Sequence, residues 1–239
     1  MTSAAADRAS PTRIALAWAV HAFTASGALV GAAALLAIAA GSLPRAALLM
    51  VVALTIDAVD GSLARSVQVD RVLPAFDGRR LDDMVDYLNY VIVPAVFMVA
   101  AGGLSHWSWV ALPILASAYG FSQIAAKTED DFFLGFPSYW NVIALYLWLL
   151  AIPAGVGTAL VAAFSALVFV PFKYVYPSRL RVLRRTTNAL AAAWLVTLAF
   201  AVLRPERAQD LRLVQASLAF PAYYLVLSFW LGGLHRRRA

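Results

Sequence analysis

Cysteine is absent from the 239 residues, so no disulfide and no thiolate chemistry can be built, and the redox compartment is unreadable from this residue. Charge is scarce too, with Asp, Glu, Lys and Arg making up 13% of the chain. Short strands of alternating polarity are missing, which excludes a closed β-barrel. The formal net charge of +6 comes from arginines placed between hydrophobic segments and at the C-terminal end. That distribution fits a membrane surface and excludes a nucleic-acid partner, which would need a contiguous basic face on a soluble fold.

What is present is apolar. Hydrophobic residues account for 62% of the chain and the mean hydropathy is +0.76, more than a soluble core of ordinary proportions can hide. The expected fold is an all-α, polytopic transmembrane helical bundle of about eight spans, with no room for a separate soluble domain. Residues 1–12 read as a disordered cytoplasmic tail without a leader's apolar region or cleavage site, 13–235 as one membrane domain, and 236–239 as a basic cytoplasmic end. A long first span from Ile14 to Ala40, closed by Pro44, holds His21. Spans near 45–65, 82–101 and 107–126 follow, and the apolar stretch 139–170 is cut by Pro153, Gly155 and Gly157 into two helices. Two more spans, near 188–203 and 213–233, complete the count. Residues 127–138, with Lys127, Glu129, Asp130, Asp131 and three phenylalanines, read equally as a solvated loop with an interfacial aromatic belt or as a substrate-contacting segment. Arg8, Arg13, the loop 66–81, the group Lys173, Arg179, Arg181, Arg184 and Arg185, and the final Arg236 to Arg238 fall on one side of an eight-span bundle. By the positive-inside rule both termini are expected to be cytoplasmic.

Against this background four acids are out of place. Asp57-Ala-Val-Asp60-Gly61-Ser-Leu-Ala64-Arg65 ends one apolar run, and Gly78-Arg-Arg-Leu-Asp82-Asp-Met-Val-Asp86 begins the next. At helical periodicity Asp57 and Asp60 share one face, and Asp82 and Asp86 share another. Carboxylates on membrane helices are costly unless paired, hydrated or cation-bound, so they mark a functional site. Four of them converging from two helices suit one or two hard divalent cations with oxygen ligands, bridging to substrate phosphates. Gly61 lets a ligand approach the backbone closely. A cation transporter is the alternative of another class, yet the acidic motif has no second copy such as the internal repeats of transport folds would show.

The pattern Asp-x2-Asp-Gly-x2-Ala-Arg, spacer, Gly-x3-Asp-x3-Asp resembles the signature of the CDP-alcohol phosphatidyltransferase family, with every fixed position present. The spacer from Ser66 to Asp77 is longer than most members carry. It resembles that of the bacterial branch which makes phosphatidylcholine, as do the stretches 17–27, 73–78, 132–141 and 171–178. The resemblance implies transfer of the phosphatidyl group of CDP-diacylglycerol to an alcohol with release of CMP. It implies that Asp57, Asp60, Asp82 and Asp86 hold divalent metal, Mn²⁺ in preference to Mg²⁺, that Asp86 also acts as catalytic base, and that Asp57, Gly61, Ala64, Arg65 and Gly78 bind the nucleotide. It also implies a homodimer.

The acceptor stays open on the residues alone. Choline carries a quaternary ammonium that cannot donate hydrogen bonds, so its site calls for aromatic faces. His21, Tyr87, Tyr90, Tyr139, Trp140 and Tyr174 are the candidates, with Phe136 and Tyr176 nearby. Glycerol phosphate would call for cations such as Lys173, and serine for both charges. The resemblance points to choline.

Overall fold

The computed structural model describes residues 10–233 except 125, 127, 129, 131, 178, 179 and 181. The expectations for the first nine residues, for Lys127, Glu129, Asp131, Arg179 and Arg181, and for the terminal arginines lie outside the described residues.

Ser10 opens the first helix by accepting a hydrogen bond from the Arg13 N–H, so α1 runs Pro11–Ala39 and starts three residues before the expected span. It ends at a tight turn in which Gly41 has φ +72° and the Gly41 and Ser42 amides return to the Ile38 and Ala37 carbonyls. A left-handed glycine therefore stops α1, and Pro44 sits in the first turn of α2 (Leu43–Val67), where its missing N–H costs nothing. The two helices pack against each other and bury small residues, Ala17 and Ala34 on one and Ala46, Ala47 and Ala53 on the other, and small residues let backbones approach where lipid offers no hydrophobic drive.

The spacer is more ordered than a plain loop. Gln68, at φ +57°, closes α2, and a single turn, α3 (Val69–Val72), tucks Val72 inside before Asp77 caps α4 (Gly78–Asp86) through the Arg80 N–H. From α4 the chain continues as a π-helical segment, Tyr87–Ile92, and then α5 (Val93–Ala100). Pro94 has no N–H to give, and the Val93 N–H reaches back five residues to the Leu88 carbonyl. The wide turn lets the helix run past a proline without breaking.

A 3₁₀ turn (Trp107–Val110) leads into α6 (Ala111–Ser122), then α7 (Trp140–Leu149) and α8 (Ala154–Leu167). Pro153 caps α8, the turn lies just upstream with Ala151 at φ +48°, and Gly157 is inside the helix, where a Cβ would meet the Gly103 carbonyl. After α8 come α9 (Arg184–Leu203), the short α10 (Pro205–Asp210) and α11 (Leu213–Ser217), and α12 (Ala219–Leu231).

The eight apolar helical segments thus follow the expected order in an all-α polytopic bundle. Five of them, Pro11–Ala39, Leu43–Val67, Gly78–Ala100, Arg184–Leu203 and Leu213–Leu231, are long and apolar enough to cross a membrane. The three between are shorter: α7, with 10 residues, is about 15 Å long, roughly half the hydrocarbon thickness. A two-stranded antiparallel ribbon was not foreseen. Strands β1 (Phe132–Leu134) and β2 (Lys173–Val175) pair with Phe133 opposite Tyr174, and β2 packs against α12. Three residues each, forty apart, leave no local pattern to read.

Candidate metal centre

Helix α2 delivers Asp57 and helix α4 delivers Asp82 and Asp86 one turn apart. One ligand oxygen from each of the three lies within 4.8 Å of the others. Three ionised carboxylates at that spacing repel by on the order of 3 kcal/mol per pair at a surface-like dielectric, a cost that a cation among the oxygens would relieve. An all-oxygen donor set at this separation fits a hard divalent ion. Asp60, the fourth expected ligand, is not in this group. Three residues beyond Asp57, it turns toward α1, is buried, and hydrogen-bonds the Thr24 hydroxyl. It still lines, with Asp57, Asp86, Gly27, Asn89 and Tyr90, a cavity of about 10 Å³, room for one water molecule.

Three supports of the cluster have their reason in packing. Gly27 and Gly31, four apart on α1, face α4 and the π-helical segment: a Cβ on Gly27 would stand 2.8 Å from Val85 Cγ1, and one on Gly31 2.6 Å from Asn89 Oδ1. Into that gap Asn89 Nδ2 donates to the Gly27 carbonyl at 3.0 Å, pinning α1 to the helix that carries Asp82 and Asp86. The third is Tyr90, whose hydroxyl donates to Asp57 Oδ2 at 2.5 Å and so links the two acidic helices. Thr24 and Asn89 escaped the sequence reading. A signal existed in the Gly-x3-Gly spacing, which marks close helix approach in membranes.

The expected nucleotide residues gather at the same end. The Arg65 guanidinium bonds Ser62 Oγ and lies over Gly61, where a Cβ would be 3.3 Å from Nη1. Ala64 is half-buried on the same helix. Gly78, one turn before Asp82, touches His21 so closely that a Cβ would stand 2.7 Å from the imidazole Cε1.

The aromatic candidates divide. Tyr90 stands 6.0 Å, ring to ring, from Tyr139, which shares a hydrogen bond with Tyr224, and Tyr224 donates to the Val175 carbonyl. Tyr224, on the last helix, was not foreseen. His21 instead joins Trp18 and Phe76. Tyr87 turns to α6, donating to the Ile114 carbonyl with its ring on Phe121. Trp140 is fully enclosed with Nε1 bonded to Ser117, a core residue. Tyr174 is buried between Phe136 and Phe172, and Tyr176 stacks on Phe133.

A polytopic helical membrane protein with a three-carboxylate cluster drawn from two apolar helices is the class that fold and site define. Comparison with characterised proteins is more specific. The chain is 43% identical over 225 residues to the phosphatidylcholine synthase of Legionella pneumophila, covering 90% of this chain and 88% of that one. It is 34% identical over 226 residues to that of Pseudomonas aeruginosa, covering 92% and 94%, and 41% identical over 192 residues to that of Bradyrhizobium diazoefficiens, covering 78% and 71%. The chain belongs to the phosphatidylcholine synthase family. No protein-family model matches it.

Proposed function

We propose that the protein transfers the phosphatidyl group of CDP-diacylglycerol to choline, forming phosphatidylcholine and CMP, and that it is a CDP-alcohol phosphatidyltransferase. The observation that carries this reading is the convergence of Asp57, Asp82 and Asp86 within 4.8 Å in a chain 43% identical to a phosphatidylcholine synthase.

Asp57, Asp82 and Asp86 are the residues that would hold a divalent cation, Mn²⁺ in preference to Mg²⁺, with Asp60 steadied behind them by Thr24. When bound, such an ion neutralises the pyrophosphate and stabilises the departing CMP. Gly61, Ala64 and Gly78 leave room for the nucleotide, and Arg65, held across Gly61, faces its phosphates. Asp86, at the junction of α4 and the π-helical segment, takes the proton from the choline hydroxyl. Tyr90 and Tyr139 supply the aromatic faces for the quaternary ammonium. They stand next to the carboxylates, whereas Tyr87, Trp140 and Tyr174 are committed to packing. Both termini lie in the cytoplasm, the membrane is the bacterial inner membrane, and the active form is a homodimer.

The test is CMP release by purified protein given CDP-diacylglycerol, Mn²⁺ and one of choline, serine or glycerol phosphate. Release with choline alone is expected, and it stops on chelation. Release with serine or glycerol phosphate and none with choline overturns the acceptor, and release with none of them overturns the transferase reading.

A further inference from the structure

Asp82, Asp86 and Tyr90 are spaced i, i+4, i+8 along α4 and the π-helical segment. In an α-helix each four-residue step overshoots a full turn by about 40°. Continued as α-helix, the chain would carry position 90 about 80° off the line of Asp82. The π-helical turn holds more residues, with the Val93 N–H reaching the Leu88 carbonyl, so there the four-residue step falls short of a full turn and the drift is reversed. Pro94 is the cause in the sequence, since it withholds the N–H that an α-helix would give to the Tyr90 carbonyl.

Tyr90 is thereby turned back toward the carboxylates. It is buried, it lines the same small cavity as Asp57, Asp60 and Asp86, and its hydroxyl donates to Asp57 Oδ2 from one acidic helix to the other. A buried phenol needs a partner, and elsewhere in the bundle backbone carbonyls meet that need, Ile114 for Tyr87 and Val175 for Tyr224. Tyr90 instead takes a carboxylate of the three-acid group, an acceptor that makes the stronger, charge-assisted bond.

Resting on the metal centre of the transferase reading, we propose that Tyr90 is a positioning residue for the cation site: its hydroxyl grips Oδ2 and fixes the plane of the Asp57 carboxylate. Asp82 and Asp86 share one helix, whose period sets them against each other. Asp57 comes from a different helix, and that period has no hold on it. The tie therefore falls on the acid that most needs one. This role uses the hydroxyl and leaves the ring to the quaternary ammonium, so removing a single oxygen atom separates the two.

The test is titration of Mn²⁺ into full-length protein in nanodiscs, with the free ion read by its electron paramagnetic resonance signal, for the wild type, Tyr90→Phe and Tyr87→Phe. Tyr90→Phe is expected to weaken Mn²⁺ binding about tenfold to hundredfold, the range for losing a hydrogen bond that orients a metal ligand. Tyr87→Phe, which loses a hydroxyl bonded to a backbone carbonyl on the same segment, is expected to bind Mn²⁺ as the wild type does. In turnover, the Mn²⁺ concentration for half-maximal rate rises by the same factor in Tyr90→Phe, saturating Mn²⁺ restores the rate, and the choline KM is unchanged. The rise in Tm on adding Mn²⁺, taken against each variant's own metal-free Tm, gives the same ranking even where a variant is less stable. Wild-type Mn²⁺ affinity in Tyr90→Phe, equal losses in the two variants, or a rate that saturating Mn²⁺ fails to restore overturns the positioning role and leaves the transferase reading standing. A wild type that binds Mn²⁺ yet releases no CMP from CDP-diacylglycerol and choline overturns the transferase reading alone. A wild type that binds no Mn²⁺ overturns the metal centre and the positioning role with it.

Discussion

Two aromatic groups flank the carboxylates, and they are built in opposite ways. Tyr90 donates to Asp57 and meets Tyr139 ring to ring at 6.0 Å, and Tyr139 shares a hydrogen bond with Tyr224, which donates to the Val175 carbonyl, so this group draws on α2, the π-helical segment, the stretch before α7, β2 and α12. Trp18, His21 and Phe76 touch only through ring faces and edges, and their one buried polar nitrogen is unpartnered. Satisfied hydroxyls hold their places, because each would lose a partner by moving. The other group carries a buried imidazole nitrogen whose hydrogen-bonding capacity is unused. One group is therefore fixed by hydrogen bonds beside the carboxylates, and the other by the packing of its rings.

Substitutions can break or sharpen that contrast. The largest effect belongs to Asp86→Asn between the two groups: kcat should fall by about 10³-fold, the scale of a lost general base, while CMP still binds at saturating Mn²⁺. Near-normal turnover in this variant would remove Asp86 from the role of base. Next comes the seam beneath both groups. Gly31→Ala places a Cβ 2.6 Å from Asn89 Oδ1 and 2.9 Å from Leu88, overpacking that should cost about 1–3 kcal/mol. It is expected to lower Tm and to weaken CMP and choline use together, whereas an unchanged Tm would mean that the seam is not close-packed.

Tyr139→Leu should separate the groups. Loss of a ring beside the ammonium corresponds to about 0.5–2 kcal/mol, so the choline KM is expected to rise by up to about thirtyfold with CMP affinity unaltered. An unchanged choline KM would remove Tyr139 from the ammonium site. The smallest effect lies away from both groups, in the Asp130 to Lys173 ion pair across the β-ribbon. The Lys173 ammonium holds the Asp130 carboxyl below its ordinary 3.8, so the stabilisation is present above that pH and is lost as acid carries the carboxyl through its depressed value. The Asp130 carboxylate is largely exposed, and Asp130→Asn should cost less than about 1 kcal/mol, measurable as a small drop in Tm at neutral pH that disappears at low pH.

Much of this molecule was legible in one dimension because bilayer length and helical period act locally. The apolar runs placed eight helical segments in order, and the spacing of Asp82 and Asp86 put two carboxylates on one face, since i and i+4 must share a face whatever surrounds them, while the meeting with Asp57 needed the two helices to pack. Pro94, Gly41 and Gln68 show where local reading ran short. Whether a proline breaks a helix or is absorbed by a wide turn, and whether a turn forms at a glycine or at a following proline, depends on the helices packed alongside. Only the tertiary structure turned Asp60 away from the other three acids toward Thr24, closed Asn89 onto Gly27, and joined β1 to β2 across forty residues. It alone sorted the aromatic side chains, sending Trp140 into the core and His21 to Gly78. Those outcomes depend on which faces meet, and a contact between distant residues leaves no period in the sequence that records it.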